Sequence, residues 1–96
     1  MSLTAEVAKK LGVRLEALER DAIKLWLQHR LMAVEAEIVS ILSRYGVKSL
    51  DELEAKVKSG NVPEHPAWED LITIENLEEE RRRIIEVLRE VEEPPH

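Results

Sequence analysis

The chain has 96 residues, of which 20 are acidic and 14 basic, giving a net charge of −6; 44% are hydrophobic and none is cysteine. That length carries one domain rather than two independent cores. The apolar fraction excludes a wholly disordered chain, and the lack of thiols excludes a disulfide framework or a thiolate metal site. The acids are 17 Glu against 3 Asp, and the amides are two Asn and one Gln. Glu, Lys and Arg form helix well whereas Asp and Asn favour caps and turns, so the composition points to an all-α domain spanning residues 1–96. Few amides and many opposite charges also suit a protein from a hot environment.

Gly and Pro divide the chain into four helical segments. The first runs from about Ala5 to Leu11, with Thr4 as its N-cap and Gly12 as a left-handed stop. The second starts near Leu15 and reaches about Tyr45, before Gly46. Its apolar positions Leu27, Leu31, Val34, Ile38, Ile41 and Tyr45 step by four and three, which is one face of a helix. A second stripe, Leu15, Leu18, Ala22, Leu25 and Met32, runs along its first half. Segment three opens with Ser49-Leu50-Asp51-Glu52, a capping box, and extends to about Lys58 ahead of Gly60.

Pro63 and Pro66 hold Asn61 to His65 as a loop, and Pro66 suits the first turn of segment four. That segment, about 66–91, is expected to bury Trp68, Leu71, Ile74, Leu77, Ile84, Leu88 and Val91. Its β-branched run Ile72-Thr73-Ile74 and the capping pattern at Asn76-Leu77-Glu78-Glu79 allow a break near Asn76. Glu78 with Arg82 and Glu79 with Arg83 are i,i+4 pairs in the favoured order. Residues 92–96 end in Pro94-Pro95 and are expected to fray.

The expected architecture is a long antiparallel hairpin of helices over about 15–45 and 66–91, with two short helices. Thirty residues of helix span roughly 45 Å, whereas a compact domain of this size is only about 32 Å across. The second helix therefore outgrows the globule its own chain can build, and a homodimeric bundle is the simplest completion. Leu27, Leu31, Val34, Ile38 and Ile41 are the candidate dimer interface.

The richest apolar stretch, Ala22 to Leu42, is interrupted by Lys24, His29, Arg30, Glu35 and Glu37, so it falls short of the ~20 mostly apolar residues of a membrane span. The N-terminus lacks a basic segment followed by an apolar run and a cleavage site. A cytoplasmic protein without membrane association is expected.

Chemistry is sparse. The segment Glu64-His65-Pro66-Ala67-Trp68-Glu69-Asp70 places His65 and Glu69 four apart, within reach of one ligand. A helix-capping His with Glu69 and Asp70 complementing the helix dipole explains the same residues without a metal, and no metal or cofactor is expected. Trp68 fits either the core or an exposed docking anchor, and Trp68, Glu69, Asp70 and Leu71 are the candidate partner-binding residues. No His-Glu-x-x-His, phosphate-binding Gly-rich loop or nucleophile triad is present, so no catalytic residue is assigned and a non-enzyme is expected.

Thr4 to Leu18 resembles the opening of a helix-turn-helix, with Ala8, Gly12 and Leu18 at its small, turn and core positions. A DNA-binding regulator using residues 4–30 is therefore the alternative function, with Lys9, Lys10, Arg14 and Arg20 on phosphates. Residues 1–50 carry 8 basic and 6 acidic side chains, net +2, and residues 51–96 carry 6 and 14, net −8. Counterion release needs a more concentrated basic surface than this.

The run from Ala8 to Leu27 also resembles the helical part of ribbon-helix-helix antitoxins. Arg14 replaces their usual Ser cap, and too few residues precede Thr4 to form the DNA-reading strand. Arg44-Tyr45-Gly46-Val47, Ser49 to Glu54, and His65 to Ile72 with Asn76-Leu77-Glu78 resemble a group of small archaeal helical proteins, some of them antitoxin-like. The resemblance brings no established activity; the −8 half, the Glu/Arg face and the overhanging second helix point to a non-catalytic, antitoxin-like interaction module that masks a small basic toxin-like protein.

Overall fold

The computed structural model describes residues 2–92. Four helices follow in order, α1 (Leu3–Leu11), α2 (Leu15–Arg44), α3 (Leu50–Lys58) and α4 (Glu64–Glu92), with no strand among the described residues. The frayed tail expected over 92–96 lies, beyond Glu92, outside the described residues.

Each boundary has a local cause. Ser2, not Thr4, caps α1: its hydroxyl accepts a hydrogen bond from the Ala5 N–H at 3.1 Å, which starts the helix a residue or two earlier than expected. At the other end Gly12 adopts a left-handed φ of 69°, and the Val13 N–H reaches back to the Ala8 carbonyl at 3.0 Å. The same Schellman closure ends α2 at Gly46, where Val47 and Leu42 supply the buried apolar contact that accompanies it. Ser49 caps α3 through the Glu52 N–H at 3.1 Å. The return half of the box lands on the Lys48 N–H, at 3.2 Å from the Glu52 carboxylate, rather than on Ser49 itself.

Within α4 only His65 departs from helical geometry (φ −109°, ψ 123°). The helix then passes through Asn76 without a break, contrary to the sequence expectation. Ile74 is completely buried and Leu71 and Leu77 nearly so, and burial of that face outweighs the weak helix propensity of Ile72-Thr73-Ile74.

Helices α2 and α4 pack antiparallel as the expected hairpin. The core lies between them and under α3: Leu27, Val34, Ile38, Ile41 and Leu42 from α2, Val47 from the turn, Leu53 and Val57 from α3, and Ala67, Leu71, Ile74, Leu77 and Ile84 from α4. Polar bridges fix the register. Arg30 donates to both Glu80 oxygens at 2.6 and 2.8 Å, Arg81 stands 3.7 Å from Glu35, and Arg20 donates to the Val91 carbonyl at 2.7 Å.

Two expectations about the core are corrected. The candidate dimer residues Leu27, Val34, Ile38 and Ile41 are buried within the single chain, with Leu31 packed against them, because α4 covers that face. They are the intramolecular core and are not available to a second chain. Trp68 is 46% exposed, since the inward face at that end of α4 runs through Ala67 and Leu71, and the next residue points about 100° away.

The molecule measures 60 × 27 × 19 Å with a radius of gyration of 19.3 Å. A compact chain of this length would have a radius of gyration near 12–13 Å. The molecule is thus elongated, with α2 unbroken over its 30 residues; the expected overhang is corrected, because the 29-residue α4 runs beside α2 to the Arg20–Val91 contact.

Candidate interaction surface

α2 has two apolar faces on opposite sides of one helix. The inner face is closed by α4. On the outer side Leu18, Ala22, Leu25, His29, Met32, Ala36, Val39 and Ser43 recur in alternating steps of four and three, the spacing of a coiled-coil seam. Nothing among the described residues covers most of this seam: Leu25 is 65% exposed, Met32 72% and Val39 61%, and beside them Trp26 is 65% exposed. Leu18, near α1, is half-buried. From sequence this stripe is evident only as far as Met32. Its second half sets Val39 between Ala36 and Ser43, whose low apolar weight hides the period. No Asp, Glu, Lys or Arg lies on the seam.

The expected partner site around Trp68 is dispersed by the fold. Leu71 is buried and belongs to the core. Asp70 turns inward to accept a hydrogen bond from the Tyr45 hydroxyl and stands 3.5 Å from Arg44, tying the end of α2 to the start of α4. Burial, then the hydrogen bond to the Asp70 carboxylate, push the Tyr45 phenol up to about 12. Lys56 adds α3 to this joint by donating to the Tyr45 carbonyl at 3.0 Å.

Trp68 and Glu69 remain at the surface, and Trp68 shares an exposed strip with Ile72, one turn on. His65 Nδ1 and Glu69 Oε1 meet at 2.8 Å, so the i,i+4 contact anticipated from spacing does form, on an exposed helix start. With Asp70 engaged elsewhere, no group of three or more His, Asp or Glu side chains among the described residues is arranged to hold a metal ion.

The basic residues of the DNA-binding alternative lie on α1, on α2 and at the turn between them. Lys9 and Lys10 occupy the last turn of α1, Arg14 stands 4.0 Å from Glu16, and Arg20 is turned toward the end of α4. On the exposed side of α4 some of the charges are paired: Arg82 contacts Glu79 and Glu86, and Arg83 stands 3.6 Å from Glu79. The Arg82 hydrogen bond holds the Glu79 carboxyl below the usual range, and Arg30 does the same to Glu80. No helix among the described residues is long and apolar enough to cross a membrane.

A protein of Methanocaldococcus jannaschii, described as uncharacterized protein MJ0235, is 36% identical to this chain over 77 residues, covering 80% of this chain and 94% of the relative. No solved structure matches. The model of the uncharacterized protein MJ0235 family matches residues 1–95, and the chain belongs to that family.

Proposed function

We propose that this chain is a non-catalytic helical protein–protein interaction module whose docking surface is the outer face of α2. The observation that carries this reading is surface left unfinished. The accessible area is 7,234 Å², against about 5,700 Å² for a compact monomer of this mass. On the outer side of α2 the exposed Leu25, Met32 and Val39 fall on one continuous seam, with Trp26 beside it. A small enzyme spends its convergent polar groups in a concave site; here the polar groups are spent on joining helices.

The test is side-chain footprinting of Trp26 and Met32 together with a Leu25→Glu variant. In the working assembly both side chains are protected, and the variant loses the assembly while keeping its helical circular dichroism. A lone chain that binds no hydrophobic dye and leaves both side chains fully reactive under every condition contradicts the reading.

The finer part of the proposal is antitoxin-like masking of a small basic partner. It is supported by the net charge of −8 over residues 51–96 and by the exposure of Glu75, Glu78 and Glu90 on α4. Neutralising these three to Gln should weaken binding to a cationic protein and flatten its dependence on salt. Binding unchanged by both salt and the substitutions would remove this part and leave the α2 docking surface standing.

A further inference from the structure

The occupant of the outer face can be named from its pattern, given the docking reading above. Along the seam the large residues Leu18, Leu25, Met32 and Val39 recur every seven positions, and the small or polar residues Ala22, His29, Ala36 and Ser43 recur every seven between them. We infer that this face pairs with a second copy of itself, antiparallel, about a twofold axis level with Arg30 and Leu31.

In that register Leu25 enters the space over Ala36 of the other copy, Val39 that over Ala22, and Met32 that over His29. The Leu25–Ala36 and Val39–Ala22 contacts set large against small, Met32 meets the His29 ring, and symmetry repeats each of them, as an isologous interface requires. The flank agrees: Trp26, outside the seam, lies across Ala33 of the other copy, where a larger residue would clash. Parallel pairing is poorer. It brings Ala22 and Ala36 each onto its own copy, leaving voids between small residues while the large ones crowd each other.

Charge and area point to the same occupant. Two chains each carrying −6 repel, yet the seam has no formal charge, and the antiparallel register sets Glu19 beside Ser40 and Gln28 beside Glu35, with no like pair opposed. A standard interface buries about 800 Å² per partner. Leu25, Trp26, Met32 and Val39, all exposed, are the apolar surface that such an interface would cover. Since α4 covers the opposite side of α2, the pair forms a flat row, α4–α2–α2–α4, rather than a square bundle.

The test uses the full chain, measured for mass in solution and for distances between nitroxide labels placed by Glu19→Cys or Glu37→Cys; the protein has no cysteine of its own. The antiparallel pair separates the two Glu19 labels by about 35 Å along the axis and the two Glu37 labels by about 20 Å. Equal, short separations at both sites mean parallel pairing and overturn the inference while leaving the docking surface intact.

A swap sharpens the register. Leu25→Ala and Ala36→Leu alone each weaken the dimer by about tenfold, and the double variant recovers most of the loss, because the two residues face each other. Both sites are exposed in the single chain, so folding is not at stake. Failure of the double variant to recover overturns the register. A chain that stays monomeric at high concentration overturns the second copy as occupant. In that case hydrophobic-dye binding at α2 retains the docking reading with another partner, and absence of dye binding removes both.

Discussion

The two faces of α2 use the same residue types for different ends. Leu27, Val34, Ile38 and Ile41 are covered by α4 and hold the chain together, whereas Leu25, Met32 and Val39, on the opposite side of the same helix, meet solvent. The inner face is rich in branched side chains that fill space between two helices. The outer face alternates large residues with Ala, His and Ser, a composition that fits close approach of another helix better than a thick core. Apolar periodicity alone therefore marks what must be covered; the size pattern within the period indicates by what.

Substitutions should separate the two faces cleanly. The largest effect belongs to the inner side: Ile74→Ala, at a completely buried position, should cost about 2–5 kcal/mol in urea unfolding. By contrast Met32→Ala should leave the unfolding of the single chain within about 0.5 kcal/mol and lower its association instead, read as a shift in the concentration midpoint of the dimer. Equal effects of the two on chain stability would erase the distinction between the faces.

Smaller effects belong to the joint at the hairpin turn. Tyr45→Phe removes one hydrogen bond to Asp70 and should cost about 1 kcal/mol. Because Tyr45 is the one tyrosine of the chain, its ultraviolet titration reads the joint directly. The phenol is held up to about 12 in the folded protein from an ordinary value of 10.0. The unfolded chain thus releases this proton first, and stability falls as pH rises from the lower value through the higher. A midpoint near the ordinary value in the folded protein would mean that the contact is not made.

Ser49→Ala should cost about 1 kcal/mol or less through loss of the α3 cap. The smallest effect is expected for Glu80, whose carboxyl is held low by Arg30. Its contribution is present above the usual carboxylate range and is lost as acid protonates it, so Glu80→Gln should blunt the acid end of the stability profile without moving the neutral plateau.

Much of this was legible in the residues themselves. Gly12, Gly46 and the Ser49 box set helix ends by local chemistry, and the period from Leu27 to Ile41 marked the inner face. The absence of a break at Asn76 was not legible, because Ile72-Thr73-Ile74 reads as a poor helix until Ile74 is seen to be buried. Nor was the place of Trp68: whether it or Ala67 turns inward depends on where the first turn of α4 begins, a matter of a single residue. The inner seam was assigned to a second chain because sequence shows that a face needs cover without showing that α4 supplies it. The outer seam was followed only to Met32, since Ala36 and Ser43 carry little apolar signal.

The most direct test of the central claim is the fluorescence of Trp26 in a Trp68→Phe background, where it is the sole tryptophan, followed over a dilution series. Closure of the outer face by a second copy requires blue-shifted emission and protection from a soluble quencher at high concentration, both lost together on dilution as the mass halves. Solvent-like, freely quenched emission at every concentration would contradict it.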